Sequence, residues 1–198
     1  IRSMMKGTYE HGDSLIHKNM NPVGIWKPVS LTLYDAFRCL GRPRITPYID
    51  KRGIAQVDVS LQVRCTKEAF NIHYHTLVVS CQSEWMTQFS GKATLAKGDN
   101  VLALHFTIEH PEIWNTWDRG GAKLYELHLQ LADKSLPAIR FGIRTVVLRR
   151  TPEETSFYIN GYRQYIRGVS YYPDSYLSSM TNGRYIRDLH ALKKMGCN

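Results

Sequence analysis

His73 and His75 stand two residues apart in a stretch of alternating apolar positions, so they share one face of a strand as a pair of metal-ligating imidazoles would. No third ligand lies near them in the sequence, and packing against cross-strand neighbours is the role their setting favours. The cysteines Cys39, Cys65, Cys81 and Cys197 contain no C-x-x-C pair, so neither a zinc site nor a redox motif is indicated. They are expected as buried free thiols, with a Cys65–Cys81 bridge between neighbouring strands as the alternative. Glu153-Glu154 is an acidic pair expected to face solvent. Tyr9-Glu10-His11-Gly12-Asp13 brings together a ring, two carboxylates and an imidazole, a mixture that surface loops carry in any case. Tyr171-Tyr172-Pro173-Asp174 offers two rings and a carboxylate, although Tyr-Pro-Asp is also good turn chemistry. Trp114 and Trp117 flank a turn ending in Asp118-Arg119-Gly120-Gly121, and structure is the expected role of both. No cofactor and no metal ion are expected from these patterns.

The elements that would position these residues are mostly strands. Ile54–Arg64 alternates strictly, with Val57, Val59, Leu61 and Val63 on one face. Arg44–Ile49, Asn71–Val79, Val101–Ile108, Leu124–Leu131 and Ile139–Leu148 repeat the pattern, and polar connections such as Ala96-Lys-Gly-Asp-Asn100 separate them. Strands at this spacing without helical periodicity predict an antiparallel, immunoglobulin-like β-sandwich. The character changes after Thr151. Phe157–Ile166 reads as two strands joined by Asn160-Gly161, a pair suited to the positive φ angles of a type I′ turn. From Asn182 the spacing is helical: Tyr185, Ile186, Leu189, Leu192 and Met195 make one apolar stripe, Thr181 or Asn182 caps the start, and Gly196 stops the helix. Strand, loop and helix form half of a βαβ unit, whose second parallel strand would cover the stripe and begin near Cys197-Asn198.

With 43% hydrophobic and 22% charged residues in a chain of 198, the composition is that of a globular protein. The net charge of +9 is not gathered into a basic run or a one-faced stripe, so a solvated surface rather than nucleic-acid binding is expected. No apolar run is long enough to span a bilayer, and Ile1–Lys6 lacks the apolar core of a signal peptide. A chain opening on Ile1 is expected to have lost its true start, which leaves cytoplasm, periplasm and exterior all open.

The order Gly24-Ile-Trp-Lys-Pro-Val-Ser-Leu31, Pro111-Glu-Ile-Trp114 with Leu124-Tyr-Glu-Leu127, Gly142-Ile-Arg144, Phe157-Tyr-Ile-Asn-Gly161, Arg167-Gly-Val169 and Leu189–Asn198 resembles the middle of glycoside hydrolase family 2, the family of β-galactosidases, β-glucuronidases and β-mannosidases. The resemblance covers nearly the whole chain. It implies that residues 1–40 are the end of a jelly-roll domain, 41–150 an immunoglobulin-like sandwich, and 151–198 the first hairpin, strand and helix of a TIM-barrel catalytic domain. It also implies a parent that hydrolyses a β-linked glycoside with retention, using two glutamates held about 5 Å apart. Both belong to later barrel strands, so no catalytic residue falls in this chain, which is expected to be inactive alone.

Substrate contacts in the parent would come from the loop after the first barrel strand, where Tyr171, Tyr172 and Asp174 lie, and from Asp13 in a jelly-roll loop. The Ser170-Tyr171-Tyr172 run departs from the amide-containing sequence the family usually carries there. Trp114 would pack within the sandwich. A free-standing immunoglobulin-like module that binds carbohydrate or protein is the other reading. Pairing of two copies through the helix stripe follows from its apolar character.

Overall fold

A computed structural model describes residues 25, 28–31, 33–171 and 180–198. They fall into two compact units, one comprising Leu33–Tyr165 and the other the described parts of Ile1–Thr32 and Ile166–Asn198.

In the first unit β1 (Phe37–Cys39), β2 (Arg44–Ile49), β3 (Ala55–Ser80), β4 (Met86–Ile108), β5 (Tyr125–Leu131), β6 (Lys134–Ser135) and β7 (Ile139–Phe141) form one antiparallel hydrogen-bonded sheet. The sheet folds on itself into two leaves. Phe89 and Phe106, both on β4, would stand more than about 50 Å apart along a straight strand, yet their ring centroids are 5.4 Å apart. The bend falls where Cys65 pairs with Gly98 and Ala69 with Ala96, so β3 carries extra residues there as a bulge. Ala55–Cys65 pairs with β1 and β2, whereas Tyr74–Ser80 pairs with β5.

Because side chains alternate along a strand, the bulge also exchanges the faces of β3. Val57, Val59, Leu61, Val63 and Cys65 are buried before it, and Ile72, Thr76, Val78 and Ser80 after it. The apolar members of both sets enter one core with Leu102, Leu104, Phe106, Ile108, Leu127, Leu129 and Leu131. Each fully buried aliphatic side chain contributes about 1.5–3 kcal/mol relative to exposure. The expected sandwich is thus present, but the expected Ala96–Asn100 connection is the bend of β4. Asn100 Oδ1 accepts from the Ala96 amide at 2.9 Å, and its Nδ2 donates to the carbonyls of Ala96 and Gly98. Those bonds supply partners that the irregular ladder leaves open. Arg64 grips Asp99 with two bonds of 2.6 and 2.8 Å beside the bulge.

A three-stranded antiparallel sheet, β8 (Val146–Arg150), β9 (Thr155–Ile159) and β10 (Tyr162–Gln164), completes this unit. Its hairpin turn has φ of 51° at Asn160 and 82° at Gly161, as a type I′ turn requires. The stretch Ile139–Leu148, expected as one strand, is divided between the two sheets. None of the four cysteines is in a disulfide: Cys65 is buried, Cys39 and Cys197 are half-buried, and Cys81 is exposed beyond the end of β3. No Cys65–Cys81 bridge forms, and Cys81 departs from the expectation of a buried thiol.

In the second unit α1 runs Asn182–Lys194. The Thr181 hydroxyl accepts from the Arg184 amide at 3.2 Å, Lys193 and Lys194 sit in the last turn where the helix dipole favours cations, and Gly196 follows at φ 88°. Among the described residues no helix is long and apolar enough to cross a membrane.

Candidate functional site

Residues 166–171, where a first barrel strand is expected, form no assigned strand, and they carry Tyr171, the one proposed substrate-contacting residue within the described part of the chain. Its hydroxyl donates to Asp188 Oδ2 at 2.8 Å, and the same oxygen accepts from Arg184 Nε at 3.0 Å. Arg184 and Asp188 are four residues apart, so they share one helix face, and Arg187 approaches the other carboxylate oxygen at 3.7 Å. The Tyr171 hydrogen bond, with the two arginines, holds the Asp188 carboxyl below its ordinary range. The tyrosine shifts upward for the reciprocal reason, because its deprotonation would set a phenolate against a carboxylate. The hydroxyl is therefore committed to the helix, and the half-exposed ring is the part of Tyr171 that remains open to a ligand. Farther back, the Arg167 amide donates to Asn198 Oδ1 at 3.0 Å and the Asn198 amide donates to the Arg167 carbonyl at 3.1 Å. After the helix the chain thus returns alongside the segment that preceded it. Tyr172, Asp174 and Asp13 lie outside the described residues.

In the first unit, Asn160 joins the hairpin to the sandwich. Its Nδ2 donates to the Trp114 carbonyl at 2.9 Å and to Asn115 Oδ1 at 2.8 Å, while its Oδ1 accepts from the Thr145 amide at 3.0 Å. Sequence reasoning saw only the turn preference of this residue, since side-chain partners so distant leave no local signal. Trp114 packs against Gly142, where an added Cβ would come within 2.8 Å of the indole Cδ1. The Arg144 guanidinium lies 4.4 Å from the Trp114 ring centroid, a cation–π arrangement. Trp114 thus has the packing role expected of it. Arg119 Nη2 donates to the Arg163 carbonyl at 3.3 Å, and Arg163 in turn pairs with Glu154 at 3.0 Å.

The Pro111–Trp114 loop is held from its other end. Ser80 Oγ donates to Glu112 Oε2, Ser83 Oγ reaches the same oxygen at 3.3 Å, and the Glu112 amide donates to the Tyr125 hydroxyl at 2.8 Å. His73 and His75 point to the exposed face of β3, and among the described residues no group of three His, Cys, Asp or Glu side chains is placed to hold a metal ion. Arg140, Arg144 and Arg149 are dispersed, the first paired with Glu126 at 3.0 Å and the others lying over Trp114 and Tyr158.

An antiparallel immunoglobulin-like sandwich clasped to an Asn-Gly hairpin, together with a unit in which the chain returns after a helix to bond Arg167, defines a chain similar to glycoside hydrolase family 2 enzymes. It is 27% identical over 171 residues to β-mannosidase B of Emericella nidulans, an alignment covering 82% of this chain and 20% of that protein. In fold it resembles the β-D-mannosidase of Dictyoglomus thermophilum, with a TM-score of 0.70 and 22% identity over 83% of this chain and 21% of that one. A glycosyl hydrolase family 2 member from Bacteroides cellulosilyticus has a TM-score of 0.65 and 21% identity over 79% of this chain and 20% of its own. No protein-family profile matches the chain. It spans about a fifth of the length of these relatives.

Proposed function

We propose that this chain is the non-catalytic middle of a retaining exo-β-glycosidase, in which the sandwich positions a jelly-roll domain (residues 1–40 at its end) and a TIM barrel (151–198 at its start). The observation that carries the proposal is the alignment over 171 residues with one fifth of a β-mannosidase. The return of Asn198 to Arg167 after α1 supports it, since that is how a second parallel strand of a βαβ unit would enter. Retaining hydrolysis needs two carboxyl groups about 5 Å apart with room for a sugar between them. Glu112, Glu126, Glu154, Asp58, Asp99 and Asp188 are each engaged by a hydroxyl, imidazole or guanidinium group instead.

In the intact enzyme, the Tyr171 ring, Tyr172 and Asp174 would meet the substrate from the barrel side and Asp13 from the jelly roll. A β-mannoside is the first substrate to try, because β-mannosidase is the name borne by both the sequence relative and one of the fold neighbours. The test compares this 198-residue chain with the longer polypeptide encoded through and beyond it, using an aryl β-mannoside and reading the anomer of the first-formed sugar by NMR. The longer polypeptide should release the β-anomer and the 198-residue chain nothing above a buffer blank. Turnover by the short chain, or a reading frame closing directly after Asn198, would overturn the proposal.

A further inference from the structure

The strand register places two rungs of side chains on the outer face of the second leaf. One rung runs Ser90, His75, Gln130, Ser135 across β4, β3, β5 and β6; the other runs Gln88, Leu77, His128 across β4, β3 and β5. Thr76, Phe89 and Leu129 lie between the rungs with their side chains turned to the other face. The gap is therefore a trough floored by backbone, and it encloses a groove of about 560 Å³ lined by both rungs. Neighbouring strands lie about 4.8 Å apart and rungs two residues apart by about 6.7 Å, so the stretch flanked by both rungs is about 10 Å long and the first rung runs one strand farther.

The lining mixes neutral polar side chains with the apolar Leu77 and Leu136. In a chain of net charge +9, none of the described residues that line the groove is Lys, Arg, Asp or Glu, and the carboxylate of Glu126 is paired with His128 at its edge. Its polar groups are amides, hydroxyls and imidazoles, which both donate and accept as sugar hydroxyls do. Gln130 Nε2 is anchored on the Ala132 carbonyl at 3.0 Å, which leaves its oxygen as an acceptor. His128 Nε2 is held by Glu126 at 3.0 Å, which leaves Nδ1. Half-buried Leu77 supplies an apolar patch at the centre of the second rung. We propose that this trough binds a neutral oligosaccharide of a few units through its hydroxyl groups, as a non-catalytic site on the sandwich. It depends on register and lining chemistry alone, so it stands whether or not the proposed glycosidase reading does.

The test is a titration of the ¹⁵N-labelled chain with β-1,4-linked mannotriose and cellotriose, with a sulfated trisaccharide as comparator. Saturable shifts confined to amides of the two rungs, with half-saturation in the millimolar range, are expected. The exposed pair Gln88→Ala/Gln130→Ala should weaken binding roughly tenfold while the remaining spectrum stays in place; Ser90→Ala/Ser135→Ala probes the same trough should the first pair disturb the fold. No saturable shift up to tens of millimolar, shifts that both variants leave unchanged, or tighter binding of the sulfated sugar would each overturn it.

Discussion

The two units treat their apolar residues in opposite ways. In the sandwich, Val57, Leu61, Ile72, Leu127 and Leu131 are all at most 1% exposed, and one core holds them. In α1 no residue is buried: Ile186 and Leu189 of the predicted stripe are 56 and 57% exposed, and Met195, at the C-cap, is 72% exposed. Amphipathic patterning, of period two in the strands and helical in α1, therefore yields stability in one unit and only a surface in the other. The sandwich has the hydrophobic means to fold by itself, whereas α1 depends on its caps, its ion pairs and whatever comes to cover the stripe.

The sharpest way to break this contrast is to truncate one leucine from each unit. Leu131→Ala removes a fully buried side chain and should cost about 2–5 kcal/mol, as lost transfer energy plus an unfilled cavity. Leu189→Ala, on the exposed stripe, should stay within about 0.5 kcal/mol. Urea unfolding of the two variants and the parent chain measures the difference. Equal losses would mean that the stripe is covered in solution and that the contrast is false.

A smaller effect tests the clasp between hairpin and sandwich. Asn160→Gly keeps a residue tolerant of φ 51° but deletes the bonds to Trp114, Asn115 and Thr145. The partners are part-buried or exposed, so about 1–3 kcal/mol is expected from groups left short of partners. Faster amide exchange at Thr145 and Tyr162 should accompany the loss. A variant as stable as the parent would leave Asn160 only its turn-forming role.

Much of this was legible in the sequence, for reasons that can be named. β2 falls on the expected Arg44–Ile49, and α1 starts and stops at its expected cap and glycine, because period and capping are local. The strand Met86–Ala96 went unseen: its inward positions include Thr87 and Gly91, too small or polar to mark an apolar face. Ile139–Leu148 reads as one strand because nothing local reveals that Gly142 must admit the Trp114 ring, which arrives from a loop far back in the chain. For the site, the sequence offers Tyr171 as a ring for substrate and says nothing of where its hydroxyl is held. Asp188, which accepts from that hydroxyl, and Arg184, which donates to the same carboxylate oxygen, are legible as an i, i+4 pair, but nothing local shows that Tyr171 joins them.

That hydroxyl gives the mildest test of the comparison, since it concerns how α1 is secured without a core. The Tyr171 bond comes first among the causes that depress Asp188, with Arg184 and Arg187 assisting. A carboxyl whose folded pKa lies below its unfolded value of about 3.9 contributes stability above that value and loses it as pH falls through the folded pKa. For Tyr171 the sign reverses. Its folded pKa lies above the ordinary value of about 10, so its contribution is present below that value and disappears as pH rises through the folded pKa. The anchorage of α1 should therefore hold from the carboxylate range up to the phenol range and loosen at both ends. Tyr171→Phe should move the Asp188 titration, followed by carboxyl ¹³C NMR, back toward the ordinary carboxylate value, and Arg184→Gln should move it in the same direction. If Tyr171→Phe leaves the Asp188 titration in place, the hydroxyl is free in solution, and Tyr171 regains the hydroxyl as well as the ring for a ligand.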